Sequence, residues 1–229
     1  MKTMKAIFTF CLVLFSSTLL FAQNTESRPL ADFFEIRVND GIEVELIKSD
    51  NPRIEIETEG VSTDKVVTDL SSGRLRVRMR IGVYPGVQVK CKVYYQDLTL
   101  IQAMAAGEIT SKENFEVDRL SITANAGGIV NLHVEARRLS LETMAAGRIS
   151  LSGSADLAMM NAGTGGLIEA FSLMANEAEV RANTGASVNV NVKDGLSGRS
   201  STGAQVNYKG SPSSLSVETQ LGGTINRAY

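Results

Sequence analysis

The sequence predicts an all-β protein, most of which forms a parallel β-solenoid that we interpret as a right-handed β-helix. About seven coils of 18 to 21 residues are expected, preceded by an N-terminal β-strand region. Apolar and polar residues alternate with period two in the first third of the chain, as in half-buried strands. Beyond residue 98, a motif of small residues recurs seven times at nearly constant spacing, the pattern of stacked repeats. These repeats lack the period of 3.6 that amphipathic helices show.

Composition excludes several classes of protein. The chain has 229 residues with 23 basic and 25 acidic side chains, a net charge of -2, whereas nucleic-acid binding takes a clustered basic surface. One histidine and two cysteines do not supply the ligands of a typical structural zinc site. No cofactor is predicted, and a hydrophobic fraction of 43% is enough for a sizeable core.

Residues 1–22 have the three parts of a secretory signal peptide. Lys2 and Lys5 form the positive region, residues 6–15 form the apolar region, and Ala22 offers a small residue at the cleavage point. The alternative, a transmembrane anchor, needs about 20 apolar residues, more than this stretch contains. Cleavage would leave 21 basic and 25 acidic residues, a net charge of -4. We therefore predict an exported protein of the periplasm or cell surface, with no membrane span after cleavage.

After a linker at residues 23–32, we interpret residues 33–97 as an N-terminal β region that caps one end of the solenoid. Its apolar phases are Phe34-Ile36-Val38, Ile42-Val44-Leu46, Ile54-Ile56, Leu75-Val77-Met79 and Val87-Val89-Cys91-Val93. Asn39-Asp40-Gly41 predicts a hairpin turn, because Asp and Gly tolerate positive φ, and residues 61–70 are interpreted as one short helix. Cys91, the cysteine left after export, shares the apolar phase and is predicted to be buried, not catalytic.

Seven corners mark the solenoid in residues 98–229. Their anchor positions are 107, 128, 147, 166, 186, 204 and 223, with spacings of 21, 19, 19, 20, 18 and 19 residues. Small residues permit a sharp turn between closely stacked coils. An aliphatic residue follows each anchor two positions on: Ile109, Val130, Ile149, Ile168, Val188, Val206 and Ile225. We expect these aliphatic side chains to form one inward ladder.

A second strand precedes each corner. Its aligned segments begin at Leu98, Leu120, Leu139, Leu157, Ala178, Leu196 and Leu215. On this alignment the middle residues form an outward column of Thr99, Ser121, Ser140, Ala158, Glu179, Ser197 and Ser216. Each coil would then consist of a strand, a corner, a strand and a variable turn, stacked on the next coil at about 4.8 Å.

The residue after each inward aliphatic side chain points outward, and these residues form the candidate binding face. They are Thr110, Asn131, Ser150, Glu169, Asn189, Asn207 and Asn226. Small hydroxyl and amide side chains on a flat surface suit contact with a glycan or a protein. The alternative is an ordinary solvated strand face, in which these side chains hydrogen-bond to one another along the stack.

No catalytic, cofactor-binding or metal-binding residues are predicted. Lyases and hydrolases on β-helices use clustered acids, often with calcium, whereas the acids of the repeat region are scattered along the sequence. His133 points outward with no evident Asp or Ser partner. The sequence contains no P-loop, G-x-S-x-G or H-E-x-x-H motif.

Five features carry a family resemblance: Phe34-x-Ile36-x-Val38, Gly41-Ile42-x-Val44-x-Leu46, Leu75-Arg76-Val77, the recurring corners, and Val206-Asn207-Tyr208-Lys209-Gly210-Ser211-Pro212. They resemble the putative auto-transporter adhesin "head GIN domain" proteins of bacterial envelopes, over about residues 33–212 or further. Many corners here have Ala where the family usually has Ser, as at Ala105-Ala106 and Ala145-Ala146. The resemblance implies adhesion, and no catalytic residues are carried over from the family.

These observations predict a secreted, non-enzymatic module of the cell envelope, adhesin-like or scaffolding, with a protein or glycan partner. Two alternatives stay open: a carbohydrate-active enzyme on a β-helix, and a purely structural periplasmic protein. The C-terminal coil from Leu215 is a partial one. Either Arg227-Ala228-Tyr229 folds back over the last core layer, or that end allows self-association, because an uncovered terminal coil exposes unpaired backbone groups.

Overall fold

The computed structural model describes residues 24–228, and the predicted signal peptide lies outside them. It is mostly β-structure, with parallel coils stacked into a β-solenoid of about seven turns, which confirms the predicted fold class. The strands are β1 (Asn24–Pro29), β2 (Glu35–Val38), β3 (Glu43–Lys48), β4 (Arg53–Glu59), β5 (Val66–Ser71), β6 (Arg74–Met79), β7 (Gln88–Tyr95), β8 (Leu100–Met104), β9 (Glu108–Asn125), β10 (Ile129–Met144), β11 (Arg148–Ala162), β12 (Leu167–Ala182), β13 (Ser187–Ser201), β14 (Gln205–Gly210), β15 (Ser214–Gln220) and β16 (Thr224–Arg227). Within this part of the chain, no helix is long and apolar enough to cross a membrane.

Each coil contributes to two faces of the solenoid. The leading face consists of the segments that follow a corner, namely β3, β14, β16 and the first halves of β9 to β13. The trailing face consists of the segments that precede the next corner, namely β2, β8, β15 and the second halves of β9 to β13. Neighbouring coils pair in parallel in both faces. In the trailing face, for example, Leu141 lies between Ile122 and Met160.

Inward side chains stack into two ladders that form the core. The leading-face ladder is the predicted one, and Ile109, Val130, Ile149, Ile168, Val188 and Val206 are completely buried, while Ile225 in the last coil is half-buried. The trailing-face ladder contains Ile101, Ile122, Leu141, Met160 and Val180, all buried. Both ladders lie entirely within residues 24–228.

The corners are tight turns with two consecutive residues at positive φ. In the coil that ends with Ala145 and Ala146, these angles are 46° and 60°. Successive corners also bond to each other, because the N–H of Gly127 donates to the carbonyl oxygen of Ala145 at 3.0 Å. The anchor Gly147 faces the coil before it so closely that a Cβ atom would lie 2.0 Å from the carbonyl oxygen of Ala124. Small residues recur at the corners for these two reasons.

The N-terminal strands continue the same stack, and the hairpin predicted at Asn39-Asp40-Gly41 is wrong. β2 pairs in parallel with β6 and β8, and β3 pairs in parallel with β7 and β9, so β2 and β3 are not partners. The turn has the expected positive φ of 62° at Asp40 and 69° at Gly41. It is an additional corner, because its two strands run to different faces and pair with neighbouring coils. The N–H of Gly41 donates to the carbonyl oxygen of Ala105 at 3.1 Å.

Antiparallel strands terminate the stack at the N-terminal end. β4 pairs with β7 and β1 pairs with β4 on one side, while β5 pairs with β6 on the other. The short helix predicted for residues 61–70 is wrong. The helical part is a single 3-10 turn, Thr63–Lys65. The chain then continues as β5, whose first residue, Val66, is buried and pairs with Met79.

The predicted alignment of the trailing segments is wrong in two coils. Ser121 pairs with Leu100 rather than Thr99, and Ser140 pairs with Met159. Ala158, which we assigned to the outward column, points inward and is completely buried. The alignment followed leucine residues, whereas pairing follows the distance from the corner.

The C-terminal end of the solenoid leaves apolar side chains exposed. Leu215 and Val217 of β15 are 49% and 43% exposed, and Leu221 in the last corner is 80% exposed. Ala228 continues alongside β14, where its N–H donates to the carbonyl oxygen of Tyr208 at 2.8 Å. Residues 227 and 228 therefore do not cover the last core layer, and self-association through this end stays a prediction.

Cys91 is buried in β7, as the sequence predicts, and burial raises the pKa of its thiol to about 12. In the chain that starts at Gln23, we expect no iodoacetamide labelling of the folded protein and one labelled thiol after unfolding in guanidinium, measured by mass spectrometry. Rapid labelling of the folded protein would contradict the burial.

The raised thiol pKa also predicts a pH effect on stability. The unfolded thiol has a pKa of about 8.5, so above that pH the unfolded state loses its proton first, and the free energy of unfolding falls as pH rises toward the folded value. A Cys91→Ala variant lacks this contribution and serves as the control. As pH rises from about 8 to about 11, the denaturation midpoint of the unchanged protein should fall relative to the midpoint of Cys91→Ala.

Candidate binding face on the leading sheet

The structure places all seven residues of the candidate binding face in one ladder. Parallel pairing brings each residue next to its counterpart in the following coil, in the order Thr110, Asn131, Ser150, Glu169, Asn189, Asn207 and Asn226. The first six are half-buried and Asn226 is exposed. Because each strand alternates its side chains between the two sides of the sheet, the buried aliphatic neighbours fix this row on the solvent side.

Two direct side-chain hydrogen bonds connect members of this ladder. Asn189 Nδ2 donates to Glu169 Oε2 at 2.8 Å, and Asn207 Nδ2 donates to Asn189 Oδ1 at 2.9 Å. This part of the face resembles the polar ladder that we considered as the structural alternative. Asn131 and Ser150 have no side-chain hydrogen bond to each other within residues 24–228, so their polar groups stay available to a ligand.

A depression of about 460 Å³ lies on the leading face beside the middle of the ladder. Its lining includes Asn131, His133, Ser150, Ser152, Glu169 and Phe171. Amide, hydroxyl, imidazole and carboxylate groups together provide both donors and acceptors of hydrogen bonds. The ring of Phe171 adds an apolar surface to this polar lining.

His133 has a serine partner that the sequence analysis missed. His133 Nδ1 lies 2.9 Å from Ser152 Oγ in the next coil. In serine hydrolases, the other ring nitrogen contacts the serine and Nδ1 donates to an acid. The arrangement here differs, so it does not match that catalytic geometry.

Strand irregularities shape the depression. Pairing between β11 and β12 shifts between Ser150 and Ser152, so two residues of β12, Ala170 and Phe171, lie opposite Leu151 alone. A bulge of this kind redirects side chains locally. Lys209 Nζ lies 4.6 Å from the centre of the Phe171 ring and Asn191 Nδ2 donates to its carbonyl oxygen at 3.3 Å, so two contacts hold this segment in place. Sequence periodicity alone gave no signal for Phe171, because the extra residue breaks the period.

The polar ladder continues into the N-terminal strands as a row of charges. Thr110 pairs with Glu45, and Glu45 pairs with Lys92. Lys112 Nζ lies 2.6 Å from Glu45 Oε1, and Lys90 Nζ lies 3.7 Å from Glu43 Oε2. A second depression of about 570 Å³ lies over these strands. Opposite charges compensate each other in these contacts, so the N-terminal part of the leading face has the properties of a solvated strand face.

Six glutamates line the 570 Å³ depression, namely Glu26, Glu43, Glu45, Glu55, Glu57 and Glu108. In the part of the chain that the structure describes, no group of three or more His, Cys, Asp or Glu side chains could hold a metal ion. Among the described residues, Glu169 is the one carboxylate that lines the 460 Å³ depression.

A family model matches most of the chain. The family described as "Putative auto-transporter adhesin, head GIN domain" matches residues 32–212. No curated protein matches the chain.

Solved structures of bacterial proteins share the fold. A putative adhesin from Bacteroides fragilis NCTC 9343 aligns with a TM-score of 0.82 and 18% identity over 90% of this chain and 97% of that one. A putative adhesin from Parabacteroides merdae ATCC 43184 gives 0.75 and 19% over 90% and 96%. A putative lipid binding protein from Parabacteroides distasonis ATCC 8503 gives 0.71 and 21% over 90% and 97%.

Proposed function

Because the chain belongs to the family described as "Putative auto-transporter adhesin, head GIN domain", we propose that it is an adhesin-like module of the cell envelope that binds a glycan. On this proposal the protein is exported to the periplasm or cell surface and catalyses no reaction. The ligand lies along the candidate binding face, over the depression beside Asn131 and Ser150. The observation that carries the proposal is the row of seven polar side chains in one ladder next to a depression with an aromatic ring.

The chemistry of the depression favours a glycan over a protein. Each sugar hydroxyl both donates and accepts hydrogen bonds, and amide and hydroxyl side chains such as those of Asn131 and Ser150 can meet both needs. A volume of about 460 Å³ lies in the range of small-molecule sites. A protein partner usually buries about 800 Å² on each side around an apolar core. On the leading face, the outward side chains beside the depression are mainly polar.

The same residues support binding without catalysis. Glycoside hydrolysis takes two carboxyl groups on opposite sides of the scissile bond. Glu169 supplies one at the depression, and its Oε2 accepts a hydrogen bond from Asn189. Several carboxylates of the N-terminal strands are engaged in ion pairs, as Glu45 is with Lys112 and Glu43 is with Lys90. The rigid parallel ladder holds its polar groups in fixed positions, which lowers the entropic cost of binding a ligand.

A glycan array followed by calorimetric titration tests the proposal. We expect the protein to bind a defined set of glycans. Asn131→Ala should raise the dissociation constant of the tightest-binding glycan about tenfold, the effect of losing about 1.4 kcal/mol of hydrogen bonding. Ser121→Ala removes a polar group of the same half-buried class from the trailing face and serves as the matched control. The proposal fails if no glycan binds, or if Ser121→Ala weakens binding as much as Asn131→Ala.

A further inference from the structure

A protruding apolar loop replaces the tight corner between β6 and β7. Ile81 is 97% exposed and Val83 is 91% exposed, so both side chains lie in solvent. Tyr84 packs against Gly82 so closely that a Cβ on the glycine would lie 2.7 Å from the ring. This contact lies between Ile81 and Val83 in the loop. Two almost fully exposed aliphatic side chains on one loop of a folded protein indicate an interaction site.

Arginine residues of the trailing face lie beside this loop. Arg37, Arg76 and Arg78 line a cavity of about 340 Å³ together with Ile81. Arg37 and Arg76 are direct neighbours in the parallel pairing of β2 with β6. Arg80 immediately precedes Ile81 and is exposed. The loop and the cavity therefore present aliphatic and cationic groups on the same side of the molecule.

The acids near these arginines are already engaged. Glu35 pairs with Arg74, and Asp69 pairs with Arg78 at 3.1 Å. Asp40 accepts a hydrogen bond from the backbone N–H of Met79 at 3.0 Å.

Three arginines at this end, Arg37, Arg76 and Arg80, make no ion pair within residues 24–228, although Arg37 Nε donates to Gln102 Oε1 at 3.0 Å. The acids around them, Glu35, Asp69 and Asp64, form their ion pairs with Arg74, Arg78 and Lys65 instead. Partial burial, and then the nearby Arg76 and Arg74, lower the pKa of Arg37, against the opposite effect of Glu35. This end of the trailing face is positive on a chain whose net charge is negative.

We propose that this end of the solenoid binds the surface of an anionic phospholipid bilayer. Ile81 and Val83 enter the boundary between headgroups and acyl chains, and the guanidinium groups of Arg37, Arg76 and Arg80 contact lipid phosphates. A convex loop suits a fluid bilayer that closes around it, whereas a protein partner would need a preformed pocket. Asp40 and Gly41 of the neighbouring corner line a depression together with Arg80, Ile81 and Gly82. This surface lies apart from the candidate glycan site, so the two proposals can fail independently.

Vesicle flotation with the chain from Gln23 to Tyr229 tests the proposal. We expect stronger binding to vesicles of phosphatidylcholine with phosphatidylglycerol than to phosphatidylcholine alone, and a loss of that preference as salt rises. The double variant Ile81→Asp with Val83→Asp should lower binding at least tenfold. Arg76→Gln should lower binding to the anionic vesicles about fivefold and leave the weak binding to phosphatidylcholine unchanged.

Two matched controls lie at a distance from the loop. Leu221→Asp changes another exposed apolar side chain, in the last corner of the solenoid. Arg181→Gln changes an arginine in the same register column as Arg37, five coils away. Both should bind like the unchanged protein, and thermal melting verifies that every variant is folded. The proposal is overturned if the protein does not bind anionic vesicles, or if the controls lose as much binding as the loop and Arg76 variants.

Discussion

Replacing Ile149 by aspartate is expected to leave the protein unfolded. Ile149 is completely buried between Val130 and Ile168 in the leading-face ladder. Loss of the aliphatic side chain costs about 2 to 5 kcal/mol in comparable substitutions, and burial of a carboxyl group without a partner costs several kcal/mol more. Together these costs approach the whole stability of a typical domain, about 5 to 15 kcal/mol. Circular dichroism and thermal melting of the variant measure the loss.

The control for this substitution is the preceding residue of the same strand. Arg148 is exposed on the outer side of β11, so Arg148→Asp introduces the same side chain one position away without burying it. This variant should melt cooperatively with a free energy of unfolding within about 1 kcal/mol of the unchanged protein. If the Ile149→Asp protein is soluble and melts cooperatively as well, the inward register of the ladder is wrong.

The corners made the solenoid predictable from sequence. Each corner combines positive φ at two positions with close packing of the anchor on the preceding coil, and few residue types meet both conditions. Gly147 shows the second condition, and Ala146, with φ of 60°, shows the first. Because the same restriction returns in every coil, it produces a sequence period that can be counted without any structure.

The first coil was missed because a long insertion separates it from the rest. Asn39 to Ile42 forms a corner with the same hydrogen bond, from the N–H of Ile42 to the carbonyl oxygen of Asn39, but the next corner begins only at Met104. β4 to β7 occupy the interval and remove the period of about 19 residues. The signal that was available is local. Val44 follows Ile42 by two positions and is buried, as Ile109 follows its own anchor.

Counting back from the anchor would have corrected the trailing alignment. Leu141 lies six residues before Gly147, and the residue that pairs with it in the next coil, Met160, lies six residues before Gly166. The segment on the far side of each coil varies in length, so similarity between leucines misled the alignment at Leu157. Phe171 could not be predicted, because its position depends on a bulge between β11 and β12 that interrupts strand periodicity. The contact between His133 and Ser152 was predictable, because β10 and β11 pair there without a shift and the spacing of 19 residues between their corners places Ser152 beside His133.

Replacing Gly147 by alanine is expected to destabilise the protein by about 3 kcal/mol, the upper part of the range for overpacked sites. Gly147 does not need positive φ, so the conformational preference of glycine is not the reason. A Cβ atom at this position would lie 2.0 Å from the carbonyl oxygen and 2.4 Å from the carbonyl carbon of Ala124. These are backbone atoms of the preceding coil, so neither can move away without shifting a paired strand. The midpoint of denaturant unfolding, with the slope held equal, measures the cost.

Gly127→Ala is the matched control, because Gly127 has φ of 75° and no atom within 4 Å of an added Cβ. It should cost only the left-handed penalty of about 1 kcal/mol, as Ala146 already accepts the equivalent position in the next corner. Two natural corners show how a Cβ at the anchor is accommodated. The anchor there is Ala186 or Ala204, and its N–H donates to the carbonyl oxygen three residues earlier at 3.2 or 3.1 Å. The equivalent hydrogen bond of Gly147 is 2.9 Å long. Equal losses in Gly147→Ala and Gly127→Ala would mean that the contact between coils does not restrict the anchor.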